Sequence, residues 1–188
     1  MITSKDRSEY FGASDVSFIV GNWTTATFAK WWLKKIAINR DHFDNKYTSA
    51  GTYFEHRILE SLGIPMEMDK QIIIEDLKLR VNLDGNDTDT IYECKTYKFE
   101  NGFKMPKKYK EQVQVQMFAT GFRKAKIVVY GLTEKDYDNY FNEIDPARRS
   151  EYIITHDEKW INEVFLPRLK YLAECLKEGR FPCVLQEK

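Results

Sequence analysis

Hydrophobic and polar residues alternate between positions 77 and 83, and a two-residue period is typical of a strand with one buried face. Asp84 follows at the end of this strand. Turn-forming residues occupy positions 86 to 89, and residues 90 to 97 are rich in β-branched and aromatic side chains, which favour a strand. The pattern therefore predicts that two strands form a hairpin with Asp84 near its centre.

Helical spacing of apolar residues is found on both sides of this hairpin. It predicts helices near 48–63, 106–120 and 157–178, with further strands near 126–130 and 152–155. Strands and helices thus alternate, which indicates an α/β fold with a central mixed β-sheet flanked by helices. The 188 residues, 43% of them hydrophobic, are enough for one domain with a substantial core, so we predict a single domain over 1–188.

Two carboxylates and a lysine come together if the hairpin forms, because Glu93 and Lys95 share a strand face opposite Asp84. Mg2+ prefers oxygen ligands and is commonly held by one or two carboxylates and a phosphate. A nearby ammonium can orient the attacking water or favour its hydroxide form. The group predicts metal-dependent hydrolysis of a phosphodiester. Short Glu-X-Lys triplets also occur by chance, so ordinary strand surface is the alternative.

A third carboxylate, Glu55, lies on the predicted helix near 48–63, for which Thr48 or Ser49 is the expected N-cap and Gly63 the stop. Helical spacing places Glu55 on the apolar face, where an unpaired carboxylate is costly unless a cation is near. We interpret Glu55 as a further metal-site acid. The alternative is that it reaches a lysine or solvent at the helix edge.

The helix near 106–120 interleaves glutamines with its apolar positions. An amide can accept from a metal-bound water and donate to a phosphate oxygen, which suits the rim of an active site. The alternative for at least one of them is an ordinary place on the helix surface. The glutamines are Gln112, Gln114 and Gln116.

The order of these motifs resembles the PD-(D/E)XK nucleases, in particular the viral recombination nucleases of the phage lambda exonuclease and YqaJ type. The resemblance covers nearly the whole chain and rests on Glu55, Asp84, the triplet 93–95 and the segment 109–114. It implies a restriction-endonuclease-like core. It departs from the family at Leu83, which stands where the family name has proline.

Carried over residue by residue, the resemblance makes Asp84 and Glu93 metal ligands, Glu55 the helical acid of the metal site and Lys95 the catalytic lysine. Gln114 fits the family's active-site glutamine best, and Gln112 is its neighbour at the DNA rim. The implied metal is Mg2+, with Mn2+ as a substitute. The implied substrate is the end of double-stranded DNA, and the implied partners are a single-strand-annealing recombinase and further copies of the chain in a ring, a trimer by resemblance.

The family also places an arginine and, seven residues later, a serine at the 5′-terminal phosphate, and Arg7 and Ser14 fit that spacing. Ser14 is expected to cap a short helix whose free N–H groups favour an anion. Arg7 would add a bidentate, charge-assisted contact. The alternative is an ordinary N-cap beside a surface arginine.

Charge does not pull the whole chain towards nucleic acid, since 29 basic residues balance 29 acidic ones. Local clusters remain, and the lysines around the start of the glutamine helix are candidates for non-specific phosphate contacts, with Lys107 and Lys108 at the DNA rim. The alternative is a solvated helix face.

The three cysteines form no CxxC pair, which argues against zinc or iron–sulfur ligation, and Cys94 is expected to pack in the core. The sequence shows neither a signal peptide nor a membrane span, which predicts a cytoplasmic protein in a bacterial host, of phage or prophage origin by resemblance. The aromatic group around Trp23, Trp31 and Trp32 is interpreted as core or subunit interface, with stacking on a DNA end as the alternative.

These observations predict a Mg2+-dependent exonuclease that degrades one strand of linear duplex DNA from a 5′ end. One alternative is an endonuclease or nickase on the same fold, because the metal site fixes the reaction and not how DNA enters. A second is a non-catalytic DNA-binding or regulatory protein that retains the fold. The clustered acids argue against the second, since without metal they repel phosphate.

Overall fold

The computed structural model describes residues 9–36 and 46–183. Its central feature is a mixed sheet in the strand order β1-β4-β5-β6-β7, beside a two-stranded antiparallel sheet of β2 and β3. Only the central pair β5–β6 of the larger sheet is parallel. The strands are β1 Glu67–Met68, β2 Gln71–Ile74, β3 Leu79–Asn82, β4 Gly85–Asn86, β5 Thr90–Lys98, β6 Lys124–Leu132 and β7 Arg149–Thr155.

Helices cover the sheet, and α4 makes the crossover that a parallel pair requires between β5 and β6. Pro106 precedes α4, where its missing N–H costs nothing, and Gly121 ends it with a positive φ of 79°. A π-helical stretch, Ile161–Phe165, joins the last two helices. The described α-helices are α1 Val16–Ile19, α2 Ala26–Lys35, α3 Lys46–Glu60, α4 Lys107–Thr120, α5 Glu134–Asp138, α6 Glu158–Trp160 and α7 Leu166–Lys177.

The core has two parts, one on each side of the sheet. Ile91 of β5 packs in the larger part, against α4, α7 and the amino-terminal helices, whereas Tyr92 and Cys94 of the same strand pack against α3. Successive residues of a strand point to opposite faces, so Glu93 shares the α4 side with Ile91. The α4 face of β5 thus carries Glu93, and Tyr92 and Cys94 pack on the α3 face, which agrees with the predicted packing of Cys94.

The predicted hairpin is only partly correct. β3 does not pair with β5, because it pairs with β2 in the second sheet, Ile72 opposite Val81. Only β4 pairs antiparallel with β5, Gly85 opposite Tyr92. The alternating pattern before Asp84 therefore identifies a real strand, but periodicity carries no information about which strand is its partner.

The other predicted elements are found close to their expected places. The helix near 48–63 is α3, and the helix near 106–120 is α4. The helix near 157–178 begins as expected, where the Asp157 carboxylate accepts a hydrogen bond from Trp160 N at 2.9 Å, but it includes the π-helical stretch. Pro167 follows that stretch and has no N–H for an α-helical hydrogen bond. These elements confirm the α/β fold with a mixed sheet.

The aromatic group near the amino terminus packs against the protein's own core. Trp32 is fully buried, and its Nε1 donates to the carbonyl of Arg180 at 3.1 Å. Trp23 donates to the carbonyl of Ile19 at 3.0 Å, and Trp31 donates to Asp15 Oδ1 at 3.0 Å. These contacts support the interpretation as core.

In the described ranges, no helix is both long enough and apolar enough to cross a membrane.

Candidate active site

Glu93 lies in the middle of β5 and is 2% exposed, although it is a carboxylate. Its Oε1 accepts hydrogen bonds from Lys95 Nζ, at 2.5 Å, and from Gln112 Nε2, and its Oε2 accepts one from Gln116 Nε2. Burying a carboxylate costs free energy unless donors replace its water, and three donors do so here. A carboxylate has about four lone-pair sites, so the donors of the described residues leave one site of Glu93 for a further ligand.

Asp84 lies between β3 and β4, one residue before the short pairing with β5. Its Oδ2 accepts a hydrogen bond from the backbone N–H of Cys94 at 2.8 Å, which places it beside Glu93. Burial, with the negative charges of Glu93 and Glu55, raises the pKa of Asp84 well above its usual range. The sequence prediction that Asp84, Glu93 and Lys95 come together therefore agrees with the geometry.

Glu55 reaches the same group from α3, where it follows the buried Phe54 and is itself only partly exposed. Burial raises the pKa of Glu55 to about 7, and the charge of Glu93 adds to the shift while Lys95 opposes it. The pKa values of Glu55 and Asp84 are thus raised partly by neighbouring carboxylates. Such mutual repulsion marks a place where a cation would lower the free energy.

Lys95 is the cation at the centre of this group. Burial alone would lower its pKa, but the charges of Glu93 and Asp84 outweigh burial and raise it. Its Nζ also lies 5.2 Å from the centre of the Tyr109 ring, within the range of a cation–π interaction. Lys95 therefore stays protonated at neutral pH and can stabilise negative charge, whereas it is a poor acceptor of a proton.

The structure separates the three glutamines of α4. Gln112 and Gln116 contact Glu93. The amide of Gln114 instead donates to the Thr155 carbonyl at 2.7 Å and accepts from Asp157 N at 2.7 Å, so it joins the end of β7 to the start of α6. Gln114, predicted to be the active-site glutamine, is thus hydrogen-bonded to backbone groups, whereas Gln112, predicted for the DNA rim, contacts Glu93. Gln112 and Gln116 are four residues apart and share one face of the helix, whereas Gln114 is two residues from each and lies on a different face.

No sequence pattern predicts the polar pair that lies beside Glu55. His56 Nε2 lies 3.1 Å from Asp69 Oδ2, and ligand atoms of Glu55, His56 and Asp69 lie within 4.8 Å of one another. Asp69 follows β1 in a backbone conformation with φ of 57°, and its N–H approaches the Asp84 carbonyl at 3.4 Å. A turn residue such as Asp69 belongs to no periodic pattern, and only the pairing of β1 with β4 brings it here.

Ser14 was expected to cap the first helix, and this expectation is wrong. Gly12 precedes the first helical turn, and its N–H donates to Asp15 Oδ2 at 2.8 Å. Ser14 lies inside that turn with an exposed side chain, and the turn packs against α4. Its role at a 5′-phosphate stays a prediction, and Arg7 lies outside the described residues.

The lysines predicted for the DNA rim, Lys107 and Lys108, are exposed at the start of α4. Lys108 Nζ lies 5.5 Å from the centre of the Tyr109 ring, and Lys95 faces the same ring. Lys107 Nζ lies 3.1 Å from Glu111 Oε1. The amino-terminal turn of α4 therefore presents positive charge close to the three carboxylates, because Lys108 and Lys95 contact the same Tyr109 ring.

The residues present fit Mg2+. Three carboxylates, Glu55, Asp84 and Glu93, converge with one lysine as counter-charge, and Glu93 keeps an acceptor site for a ligand. Mg2+ keeps several of its waters, so one or two direct carboxylate ligands suffice. Asp84 and Glu93 would hold the ion, with Glu55 beside it.

No protein-family model matches the chain, and no curated protein matches its sequence. Solved structures do match. An alkaline exonuclease (LHK-Exo) from Laribacter hongkongensis is 20% identical, with 92% of this chain and 93% of that chain covered and a TM-score of 0.64. The same enzyme in complex with dAMP has the same identity and coverage, with a TM-score of 0.66.

A phage-related exonuclease from Haemophilus somnus 129PT is 15% identical, with 90% of this chain and 92% of that chain covered and a TM-score of 0.61. At these identities the likeness is one of fold, and it covers both compared chains almost completely. The predicted fold is thereby confirmed: this chain has the fold of these exonucleases, a restriction-endonuclease-like mixed sheet flanked by helices.

Proposed function

We propose that the protein is a Mg2+-dependent deoxyribonuclease that degrades one strand of linear double-stranded DNA from a 5′ end. The observation that carries the proposal is the cluster of the buried Glu93 and the half-buried Glu55 and Asp84 around a protonated Lys95. A protein selected only for stability gains nothing from carboxylates that raise one another's pKa. The exonuclease folds that it resembles support the same class of reaction.

The bound ion supplies Lewis-acid polarisation of the scissile phosphate and lowers the pKa of an attacking water. The chain's own residues position the reactants. Lys95, fixed by Glu93 and the Tyr109 ring, stabilises the negative charge that develops on the phosphate or the nucleophile. Glu55, partly exposed on α3 beside the other two carboxylates, would accept a hydrogen bond from a water next to the ion.

DNA would approach along the start of α4, where Lys107 and Lys108 lie next to the Tyr109 ring. Contacts of this kind neutralise phosphates without reading bases, so binding would be non-specific and sensitive to salt. The complex of LHK-Exo with dAMP, a deoxynucleoside monophosphate, is consistent with release of single nucleotides. A 5′-phosphate contact by Arg7 and Ser14, a recombinase partner, a homo-oligomeric ring and a cytoplasmic location belong to the same proposal.

Digestion of linear duplex DNA tests the proposal directly. We would compare 5′-phosphate with 5′-hydroxyl ends, Mg2+ or Mn2+ with EDTA, and linear DNA with a closed circle. The expected result is progressive, metal-dependent loss of the phosphorylated linear strand with the circle intact, and a smaller preference for 5′-phosphate in Ser14→Ala. Cutting of the circle would show that the protein is an endonuclease and not an exonuclease. No cleavage with either metal would favour a DNA-binding protein.

A further inference from the structure

Gln116 is fully buried on α4 between apolar neighbours, since Val113, Val115 and Met117 are also buried. Its single amide nitrogen donates to two acceptors on different segments. One is Glu93 Oε2 on β5, and the other is the Asn82 carbonyl, at 3.3 Å, at the end of β3. Gln116 therefore links α4, β5 and the segment that leads directly into Asp84.

The orientation of this amide is fixed by its surroundings. Rotating the amide by half a turn would point Gln116 Oε1 at Glu93 Oε2 and the Asn82 carbonyl, which are both acceptors. In the observed orientation, Gln116 Oε1 is buried and has no hydrogen-bond partner among the described residues. An orphaned buried acceptor destabilises a fold, so an apolar residue of the same size would serve packing better.

The three donors to Glu93 are unequally divided. Among the described residues, Oε1 accepts hydrogen bonds from Lys95 and Gln112, whereas Oε2 accepts one from Gln116. Each carboxylate oxygen offers about two lone-pair sites, so the remaining site of Glu93 is on Oε2. The direction of the Gln116 hydrogen bond determines which way that site faces.

We propose that Gln116 is a positioning residue of the metal site. It orients the open side of Glu93 Oε2 and, through the Asn82 carbonyl, holds the chain that carries Asp84 at a fixed distance from Glu93. Groups that hydrogen-bond to metal ligands in this way orient the ligands, and their loss typically weakens metal affinity or activity about 10- to 100-fold. The inference rests on the proposed function, because it assigns Gln116 a role at the same site.

The test is Mn2+ titration by calorimetry or electron paramagnetic resonance, without DNA, of the wild type and Gln116→Met. Methionine is close in length to glutamine and cannot donate to Glu93, and Met117→Leu is the control for a core substitution on the same helix. We expect Gln116→Met to weaken Mn2+ binding about 10- to 100-fold and to lower kcat with little change in KM for DNA. Met117→Leu should bind Mn2+ as the wild type does.

Circular dichroism and thermal unfolding verify that each variant is folded, and Gln116→Leu replaces Gln116→Met if that variant is not. Mn2+ binding within twofold of the wild type in a folded Gln116 variant, or equal weakening in Met117→Leu, would overturn the positioning role and leave the proposed function standing. A wild type that binds no Mn2+ and cleaves no DNA would overturn the proposed function and the positioning role with it.

Discussion

Two aspartates of this protein, the buried Asp136 and the half-buried Asp84, have opposite surroundings. Asp136, 1% exposed, accepts hydrogen bonds from Arg148, from the Thr133 N–H and hydroxyl, and from Asn142. Burial would raise its pKa, but these partners outweigh burial and lower it. Asp84 meets burial and two further carboxylates, and its pKa rises well above the usual range.

The difference distinguishes structural from functional burial of charge. At Asp136 the Arg148 guanidinium neutralises the buried carboxylate, with the exposed Asp145 as its second, more distant partner at 3.6 Å, and the donors complete the acceptor sites, so the site needs nothing else. At Asp84 three carboxylates share Lys95, so positive charge is lacking in the part of the chain that the structure describes. An excess of clustered carboxylates points to a divalent cation, whereas a balanced ion pair points to a role in the fold.

The largest expected effect is on the balanced pair. Arg148→Ala leaves Asp136 buried without its cation, and we expect it to lower the free energy of unfolding by about 3–5 kcal/mol, as measured by urea denaturation. The double variant Asp136→Asn/Arg148→Met, which removes both charges, should recover part of the loss. A loss under about 1 kcal/mol in Arg148→Ala would show that the pair is not effectively buried.

Lys95→Ala removes the cation that the three carboxylates share. We expect DNA cleavage to fall by about 10²- to 10³-fold, because a charge-stabilising donor is lost, while the protein stays folded. Single-turnover cleavage of linear duplex DNA measures the effect, and Lys135→Ala, an exposed lysine on α5, is the control. Cleavage within a few-fold of the wild type would remove Lys95 from the chemistry.

Glu55→Gln sharpens the comparison through pH. The pKa of Glu55 is about 7 in the folded protein and near 4.5 when unperturbed, so folding favours its protonated form. The free energy of unfolding of the wild type therefore falls as pH rises from about 4.5 to 7. Above pH 7 the stabilisation that protonated Glu55 contributes is fully lost. Glutamine stays neutral at both pH values. Without metal, the free energy of unfolding of the variant should therefore exceed that of the wild type by about 1–3 kcal/mol at pH 8, with a smaller difference at pH 5.

Urea denaturation in EDTA at both pH values measures this difference, and Glu60→Gln, exposed on the same helix, is the matched control. A difference of the same size at pH 5 and pH 8 would mean that Glu55 does not titrate with a raised pKa. Added Mg2+ should reduce or reverse the advantage at pH 8, since it binds and stabilises the folded wild type.

The smallest expected effect concerns the exposed lysines at the start of α4. Lys107→Ala/Lys108→Ala should weaken DNA binding by a few-fold at low salt and reduce the slope of log affinity against log salt by about 2, one for each phosphate contact. Fluorescence anisotropy over a salt series measures the slope. The double variant Lys135→Ala/Lys170→Ala, on other helices, is the control, and an equal change there would show that the α4 lysines have no special place on the DNA path.

Local sequence patterns were enough to predict the helices and strands and most of the group of Glu55, Asp84, Glu93 and Lys95. Period-2 and helical patterns depend on local side-chain burial, so β3, α3, α4 and the last helix were predictable, and Glu93 and Lys95 follow from their places on one strand. The placement of Asp84 beside Cys94 was predictable because the connection between β4 and β5 is short.

Three other features could not be predicted from local patterns. The pairing of β3 with β2, the approach of Asp69 to Glu55, and the choice of Gln112 and Gln116 over Gln114 depend on how separate segments pack. Hydrophobic periodicity predicts which face of an element is buried, but it does not predict which polar groups of other elements contact that face. The chemistry of this chain was thus visible as residue types, and its geometry was set by contacts between residues far apart in sequence.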